Sequence, residues 1–190
     1  GVPNEINSHP HNSQNGKISV VHNGIIENYL ELKNMLIKKG YTFKSETDTE
    51  VVAQLFEDLY DGDMVSTTRK LLEKIRGACA LGIMFTDHPD TLVAVRKDCP
   101  LLIGLGKGEN YIASDIPALL EYTRDYYLLE TNEIAVLKND GVKLYDIDGK
   151  EIKKEVYHVT WDIAAAEKGG YDYFMMKEIM RQLEALKKTS

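Results

Sequence analysis

The sequence predicts an α+β layered domain. Three observations carry that expectation: apolar residues at helical spacing in the first part of the chain, a middle run of short β-branched segments separated by turn residues, and a return to helical spacing at the end. The 190 residues suit one domain of ordinary to large size. A chain of this length buries about 70% of its unfolded surface and needs no metal or disulfide staple to fold. No internal repeat or linker divides it, so residues 1–190 are expected to form a single domain.

The elements follow in order. Asn4 to Lys17 is rich in Asn, Ser, Gly and Pro without periodicity and reads as an irregular loop. Ile18 to His22 is β-branched and apolar, a short buried strand that Asn23-Gly24 ends. Glu27 to Lys39 places Tyr29, Leu32, Met35 and Leu36 at helical spacing, with Lys38 and Lys39 in the last turn and Gly40 as C-cap. Thr47 to Glu50 opens a second helix whose apolar face carries Val51, Val52, Leu55, Phe56 and Leu59, and a third runs from Val65 to Ile75.

Strands are then expected at Ala78 to Phe85, Thr91 to Arg96, Leu101 to Leu105 and Tyr111 to Ala113. A short helix covers Pro117 to Tyr122. Further strands fall at Tyr126 to Leu129, Glu133 to Leu137, Val142 to Ile147 and Glu151 to Tyr157, with Asp140-Gly141 and Asp148-Gly149 as hairpin signals. Helices are expected again over Trp161 to Lys168 and Tyr173 to Lys188.

Composition excludes several classes. Lys and Arg number 23 against 30 Asp and Glu, a net charge of −7, which argues against the clustered cations of a nucleic-acid footprint. No apolar run approaches the ~20 residues that span a bilayer. Gly1-Val2-Pro3-Asn4-Glu5 has neither the basic flank nor the apolar stretch of a signal peptide. The two cysteines, Cys79 and Cys99, lack CxxC spacing and fit a reducing cytoplasm. His9 and His11 have no partner pair at zinc-ligand spacing, so no metal site is expected. The glycines from Gly104 to Gly108 lack the Lys-Ser/Thr pair and following helix of a phosphate loop, and read as a hairpin.

Three polar clusters remain, each with a purely structural explanation. His9-Pro10-His11 can be a solvated loop. Asn23-Gly24 can be a turn, since both residues tolerate positive φ. Thr47 with Glu50 has the spacing of a capping box, and Asp48 beside a helix N-terminus is favourable for its own sake.

In order, however, the clusters match something longer. Asn7 to His11, Val20 to Tyr29 and Ser45 to Val51 closely resemble the glutaminase domain of the glucosamine-6-phosphate synthase family, a class II glutamine amidotransferase domain. The resemblance continues through Cys99 to Gly104, Ala113 to Asp115 and Met176 to Ile179, and covers essentially the whole chain. It implies the four-layer αββα sandwich of N-terminal-nucleophile hydrolases. It implies hydrolysis of the side-chain amide of L-glutamine, with ammonia passed to fructose 6-phosphate on isomerase domains. No cofactor is implied.

The family nucleophile is an N-terminal cysteine whose α-amine, with a pKa of about 8, accepts the thiol proton. By resemblance, the Asn23 side-chain amide and the Gly24 N–H form the oxyanion hole, Asp48 binds the substrate α-ammonium, and His9 lines the same pocket. His11 and His22 are expected to be structural, and Glu50 to complete the capping box. Tyr171 to Glu178 is expected to lie near an interdomain face.

The sequence also departs from the family pattern. It begins at Gly1, matching the stretch just after the family's Arg-Trp-Ala-Thr-His motif, so a domain truncated at its N-terminus and lacking its nucleophile is expected. Cys79 and Cys99 have no free α-amine and cannot replace it. Cys99 stands where the family usually has serine, and Arg181-Gln182-Leu183 where it usually has Glu-Gln-Pro. The expectation is therefore an inactive fragment whose exposed sheet edges lead it to swap, to dimerise or to rearrange locally. Two alternatives stay open: a non-catalytic amino-acid-binding or interaction module, and the glutaminase domain of another amidotransferase.

Overall fold

Strand alternation builds two sheets and three apolar layers. The structure, a computed structural model, describes residues 10–160. His9, the two expected C-terminal helices and the expected interdomain face at residues 171–178 lie outside the described residues. Within them, a seven-stranded sheet has the order β1-β2-β3-β4-β8-β9-β10. Its strands are β1 (His11–Asn12), β2 (Ile18–Gly24), β3 (Cys79–Phe85), β4 (His88–Lys97), β8 (Ile134–Lys138), β9 (Gly141–Tyr145) and β10 (Glu151–Ile152). A four-stranded sheet has the order β11-β7-β5-β6, from β5 (Leu102–Leu105), β6 (Asn110–Ala113), β7 (Asp125–Leu128) and β11 (Tyr157–His158). The strand pairings are antiparallel.

Successive side chains on a strand point to opposite faces. On β2, Ile18 and Val20 join one apolar cluster and Val21 another; on β3, Leu81 and Ile83 join the first and Ala80 and Met84 the second. The first cluster also takes Leu32 and Leu36 from α1 (Tyr29–Lys38), Val51, Val52, Leu55 and Phe56 from α2 (Asp48–Leu59), and Leu71 and Leu72 from α3 (Met64–Lys74). The second takes Ile103 and Ile112 from the small sheet, so it lies between the sheets. A third joins Leu102, Tyr111 and Ala113 to Ala118 and Leu119 of α4 (Ile116–Leu119). Helices, sheet, sheet and helix therefore stack as the expected four layers. Because both faces of the large sheet are covered, β3 is buried at every residue and reads as a continuous apolar run.

Packing of α2 onto the sheet fixes the edge described below. Phe56 is fully buried, and its ring meets Phe85 of β3 edge-on at 5.3 Å between centroids. Such a pair adds about 0.5–1.5 kcal/mol beyond the area it buries. Helix starts are capped by side chains: Asp63 accepts from Ser66 N–H at 2.8 Å, and Asp115 from Ala118 N–H at 2.9 Å.

Three expectations are corrected. The segment read as an irregular loop contains β1, because His11 and Asn12 pair with Val20 and Ser19. The single strand expected from Glu151 to Tyr157 divides. Glu151 and Ile152 pair with β9, while Tyr157 and His158 pair with β7 of the other sheet. The polar stretch Lys153 to Glu155 has no apolar face to bury and serves as the crossing. The turn before β9 is Asn139-Asp140, and Gly141 already pairs with Lys138. The glycine-rich segment is the expected hairpin, with Gly106 N–H donating to Glu109 O at 3.0 Å between β5 and β6. Among the described residues, no helix is long and apolar enough to cross a membrane.

Candidate functional site

The end of β2, the loop after it and the N-terminus of α2 meet around an open cleft of about 340 Å³. Its lining includes His22, Asn23, Gly24, Tyr29, Thr47 and Asp48. Asn23 and Gly24 are exposed at the strand end, in register with Ala80 and Cys79. They are a paired strand end, not a hairpin turn. In an antiparallel ladder, alternate residues send their N–H and C=O to opposite neighbours. Ile25 N–H donates to Ala78 O at 2.9 Å, so Gly24, one residue earlier, turns its N–H away from β3. On that side, among the described residues, β1 pairs with β2 only at Ser19 and Val20.

Glycine is required at this point. Gly24 has φ +110°, and a Cβ there would lie 2.1 Å from Ala78 O. Gly77 mirrors it, with φ +112° and a Cβ position 2.2 Å from Ile25 O. Two glycines thus let the chains on either side close together. The clamp extends through Glu27 N–H to Arg76 O at 2.8 Å, Arg76 N–H to Asn28 Oδ1 at 2.9 Å, and Asn28 Nδ2 to Lys74 O at 2.9 Å. It holds the Gly24 edge in place before any ligand arrives.

Asp48 does not cap its own helix. Thr47 is the N-cap and accepts from Glu50 N–H at 3.4 Å, leaving Asp48 as the first helical residue. The Asp48 carboxylate instead reaches the loop after β2, where Oδ2 accepts Ile26 N–H at 2.9 Å. Its side chain keeps 25% exposure toward the cleft. The positive end of the α2 dipole favours its negative charge.

Two histidines brace this helix start from neighbouring strands. His11 of β1 places Nε2 3.0 Å from Thr47 Oγ1, and His22 of β2 places Nδ1 3.0 Å from Thr49 Oγ1. His22 is buried, and its pKa is lowered by that burial, with Asp48 opposing and His11 reinforcing the shift.

Glu50 departs from the capping-box expectation. Its buried carboxylate does not return to Thr47 N–H. Oε1 accepts Lys44 N–H at 2.8 Å, while Oε2 accepts Ser45 N–H at 2.7 Å and Ser45 O–H at 2.6 Å. It ties down the loop that delivers Thr47 and Asp48.

Neither cysteine is prepared for attack. Burial, with Cys99 adding, pushes the Cys79 thiol up to about 12, and burial with Asp98 raises Cys99. The thiolate is the nucleophilic form, so both are poor nucleophiles at neutral pH. Among the described residues, no group of three or more His, Cys, Asp or Glu could hold a metal ion.

Of the residues singled out in the sequence, Asn23, Gly24 and Asp48 share one cleft, and His9 is outside the described residues. Sequence reasoning missed the part played by His22, Thr49 and Glu50. The alternating hydroxyls Ser45, Thr47 and Thr49 are the signal that could have pointed to their network. A neutral amide donor, an outward backbone N–H and a partly exposed carboxylate can together serve a ligand with a polarisable carbonyl and a cationic group.

The two facing sheets between helical layers define the fold class of the N-terminal-nucleophile hydrolases. Residues 3–121 match the glutamine amidotransferase domain family, and the chain belongs to that family. It is 57% identical over 189 residues to the glutamine–fructose-6-phosphate aminotransferase (isomerizing) of Caldanaerobacter subterraneus subsp. tengcongensis. It is 56% identical to the enzyme of the same name from Clostridium tetani. Each match covers 100% of this chain and 31% of the relative, so the chain spans about a third of the length of these curated relatives. The glutamine phosphoribosylpyrophosphate amidotransferase of B. subtilis, solved with ADP and GMP, shares the fold. Its TM-score is 0.61 at 24% identity, over 75% of this chain and 32% of that one. The solved allosteric regulatory enzyme of purine biosynthesis also gives a TM-score of 0.61, at 26% identity over 73% of this chain and 30% of that one.

Proposed function

We propose that residues 1–190 form a single glutaminase unit of a glutamine–fructose-6-phosphate aminotransferase. It would split L-glutamine into glutamate and ammonia, and isomerase domains of the parent protein would use the ammonia to make glucosamine 6-phosphate from fructose 6-phosphate. The observation that carries this reading is the convergence of the Asn23 amide, the outward Gly24 N–H and the Asp48 carboxylate on one cleft. Identity near 57% to proteins of that name supports the choice of acceptor over other amidotransferases.

In the proposed reaction, a cysteine thiolate attacks the side-chain amide carbon, and the cysteine α-amine takes the thiol proton. Asn23 Nδ2 and Gly24 N–H donate to the oxygen as it becomes negative. Losing one such donor typically costs about 10²–10³ in rate. The amide C–N bond breaks, the proton passes to the leaving nitrogen, and ammonia departs from a glutamyl thioester. Water then adds to the thioester, releasing glutamate and restoring the thiol. Asp48 holds the α-ammonium, and His9 contacts the substrate. These residues contain only Cys79 and Cys99, so the 190-residue chain alone is proposed to lack glutaminase activity. The parent is proposed to be a homodimer in the cytoplasm.

The test uses the full-length protein containing these residues. Asn23→Ala should lower glutamine-dependent glucosamine 6-phosphate formation about 10²–10³-fold and leave synthesis from added ammonium salt unchanged. Equal loss with both nitrogen sources, or no loss, would contradict the reading.

A further inference from the structure

We propose that His22 is a positioning residue for substrate selection: a neutral imidazole that orients Asp48 without neutralising it. The inference rests on the glutaminase reading and on Asp48 as the site of the substrate ammonium.

The geometry begins with strand alternation. Ile18, Val20 and His22 share the face of β2 turned toward the helices, which drives an imidazole under the start of α2. His22 is only 6% exposed. Its Nδ1 edge meets Thr49 Oγ1 at 3.0 Å and lies 3.7 Å from Asp48 Oδ1. The other carboxylate oxygen is already fixed by Ile26 N–H. Asp48 is thus held on one side by a backbone donor and bordered on the other by the ring.

The protonation state of that ring decides what Asp48 can do. An imidazolium at 3.7 Å would form an ion pair with the carboxylate and compete with any incoming ammonium. Burial of the ring opposes that state. His22 Nε2 is buried and has no hydrogen-bond partner among the described residues. A cation would therefore bury an N–H with no acceptor, an arrangement that costs about 1–3 kcal/mol or more. Of the charged groups on α2, which also carries Glu50, Glu57 and Asp58, Asp48 is the one that acts on the ring and favours the cation; the titratable group on β1 is His11, which opposes it. The neighbouring strand β3 presents Leu81 in register with His22 and adds no charge. Burial outweighs Asp48, so the ring stays neutral. The carboxylate beside Nδ1 favours the tautomer with its proton there, donating to Thr49 Oγ1. The ring then restricts the carboxylate's orientation by packing beside Oδ1 at 3.7 Å, while the charge stays available to the substrate.

The experiment measures steady-state kinetics of the full-length enzyme with L-glutamine and with glutaramate, which keeps the carboxylate and amide but lacks the α-ammonium. His22→Ala should raise KM for glutamine about tenfold, equivalent to about 1.4 kcal/mol, with kcat within about twofold and KM for glutaramate unchanged. His22→Asn, which keeps a donor near the Nδ1 position, should recover most of the loss. Burial lowers the His22 pKa from its ordinary value, so in the wild type KM for glutamine should climb only on the acid side of the usual histidine range, and His22→Asn should abolish that climb.

An unchanged KM in His22→Ala, or equal rises for both substrates, would overturn the proposal. If His22→Ala does not fold, the pH profile of His22→Asn decides: a persisting acid rise overturns it. Asp48→Asn is the control for the underlying reading. If it leaves KM for glutamine unchanged, the assignment of Asp48 fails, whatever His22 does.

Discussion

Gly24 and Gly108 both stand at positive φ near the ends of apolar strands, yet they do different physical work. At Gly24 the backbone is at φ +110° and a Cβ would strike a carbonyl oxygen at 2.1 Å. At Gly108 φ is also positive, +70°, but nothing lies within 4 Å of the position a Cβ would take. The first glycine permits two chains to close on each other beside exposed donors. The second only turns a hairpin. Glycine content alone therefore says little; what stands within a van der Waals radius separates a constrained edge from a turn.

That contrast is easiest to break at Gly24. Gly24→Ala should destabilise the chain by about 4 kcal/mol or more and lower Tm by roughly 10 °C, with loss of glutamine-dependent activity in the full-length protein. A melt within a degree or two of wild type would show that the close approach is not fixed.

Next in size is Asp48→Asn. On the proposed reading this removes a charged hydrogen-bond partner of the substrate ammonium, worth about 1.5–3 kcal/mol. KM for glutamine should rise roughly 10- to 150-fold, while kcat with ammonium salt stays unchanged.

Glu50→Ala follows. It removes the acceptor for Lys44 N–H, Ser45 N–H and Ser45 O–H at a buried position, and should cost about 2–3 kcal/mol in a chemical-denaturation experiment. Reversion of most of that loss by Glu50→Gln would show that hydrogen bonding, more than charge, holds the loop.

Smaller still is a pH effect on stability. His22 has a folded-state pKa below its unfolded value, so the unfolded chain binds the proton first as pH falls. Its contribution to stability is present above about pH 6.5 and declines below it, by at most about 1.4 kcal/mol per pH unit, until the folded pKa is passed. His22→Asn should flatten that part of the stability curve below about pH 6.5. Gly108→Ala lies at the bottom of the scale, with an expected cost of about 1–2 kcal/mol from the positive φ alone.

The layered architecture was legible in the sequence because both strand faces are buried. Val20 beside Val21, and Leu81 beside Ala80, supply opposite faces in turn, and the helical spacing of Leu32 and Leu36 identifies what covers one of them. The strand β1 was not legible. Its two polar residues carry no alternation, and only its pairing with Ser19 and Val20 makes it a strand.

The site divides the same way. Asn23, Gly24 and Asp48 are reached through a motif resemblance; for Asp48 the local reading alone, a charge at a helix N-terminus, points elsewhere. Spacing along the chain places Glu50 in a capping box. Its actual donors, from Lys44 and Ser45, depend on how the preceding loop folds back. The neutral state of His22 depends on burial by a helix that begins at Asp48, well beyond any local window of sequence.

The most direct test of the glutaminase assignment is chemical labelling of the full-length protein with a glutamine-mimicking electrophile, followed by peptide mapping. A working N-terminal-nucleophile site should give a single adduct on an N-terminal cysteine, suppressed by excess glutamine, with Cys79 and Cys99 unmodified. An adduct on Cys79 or Cys99, or none at all, would contradict the assignment.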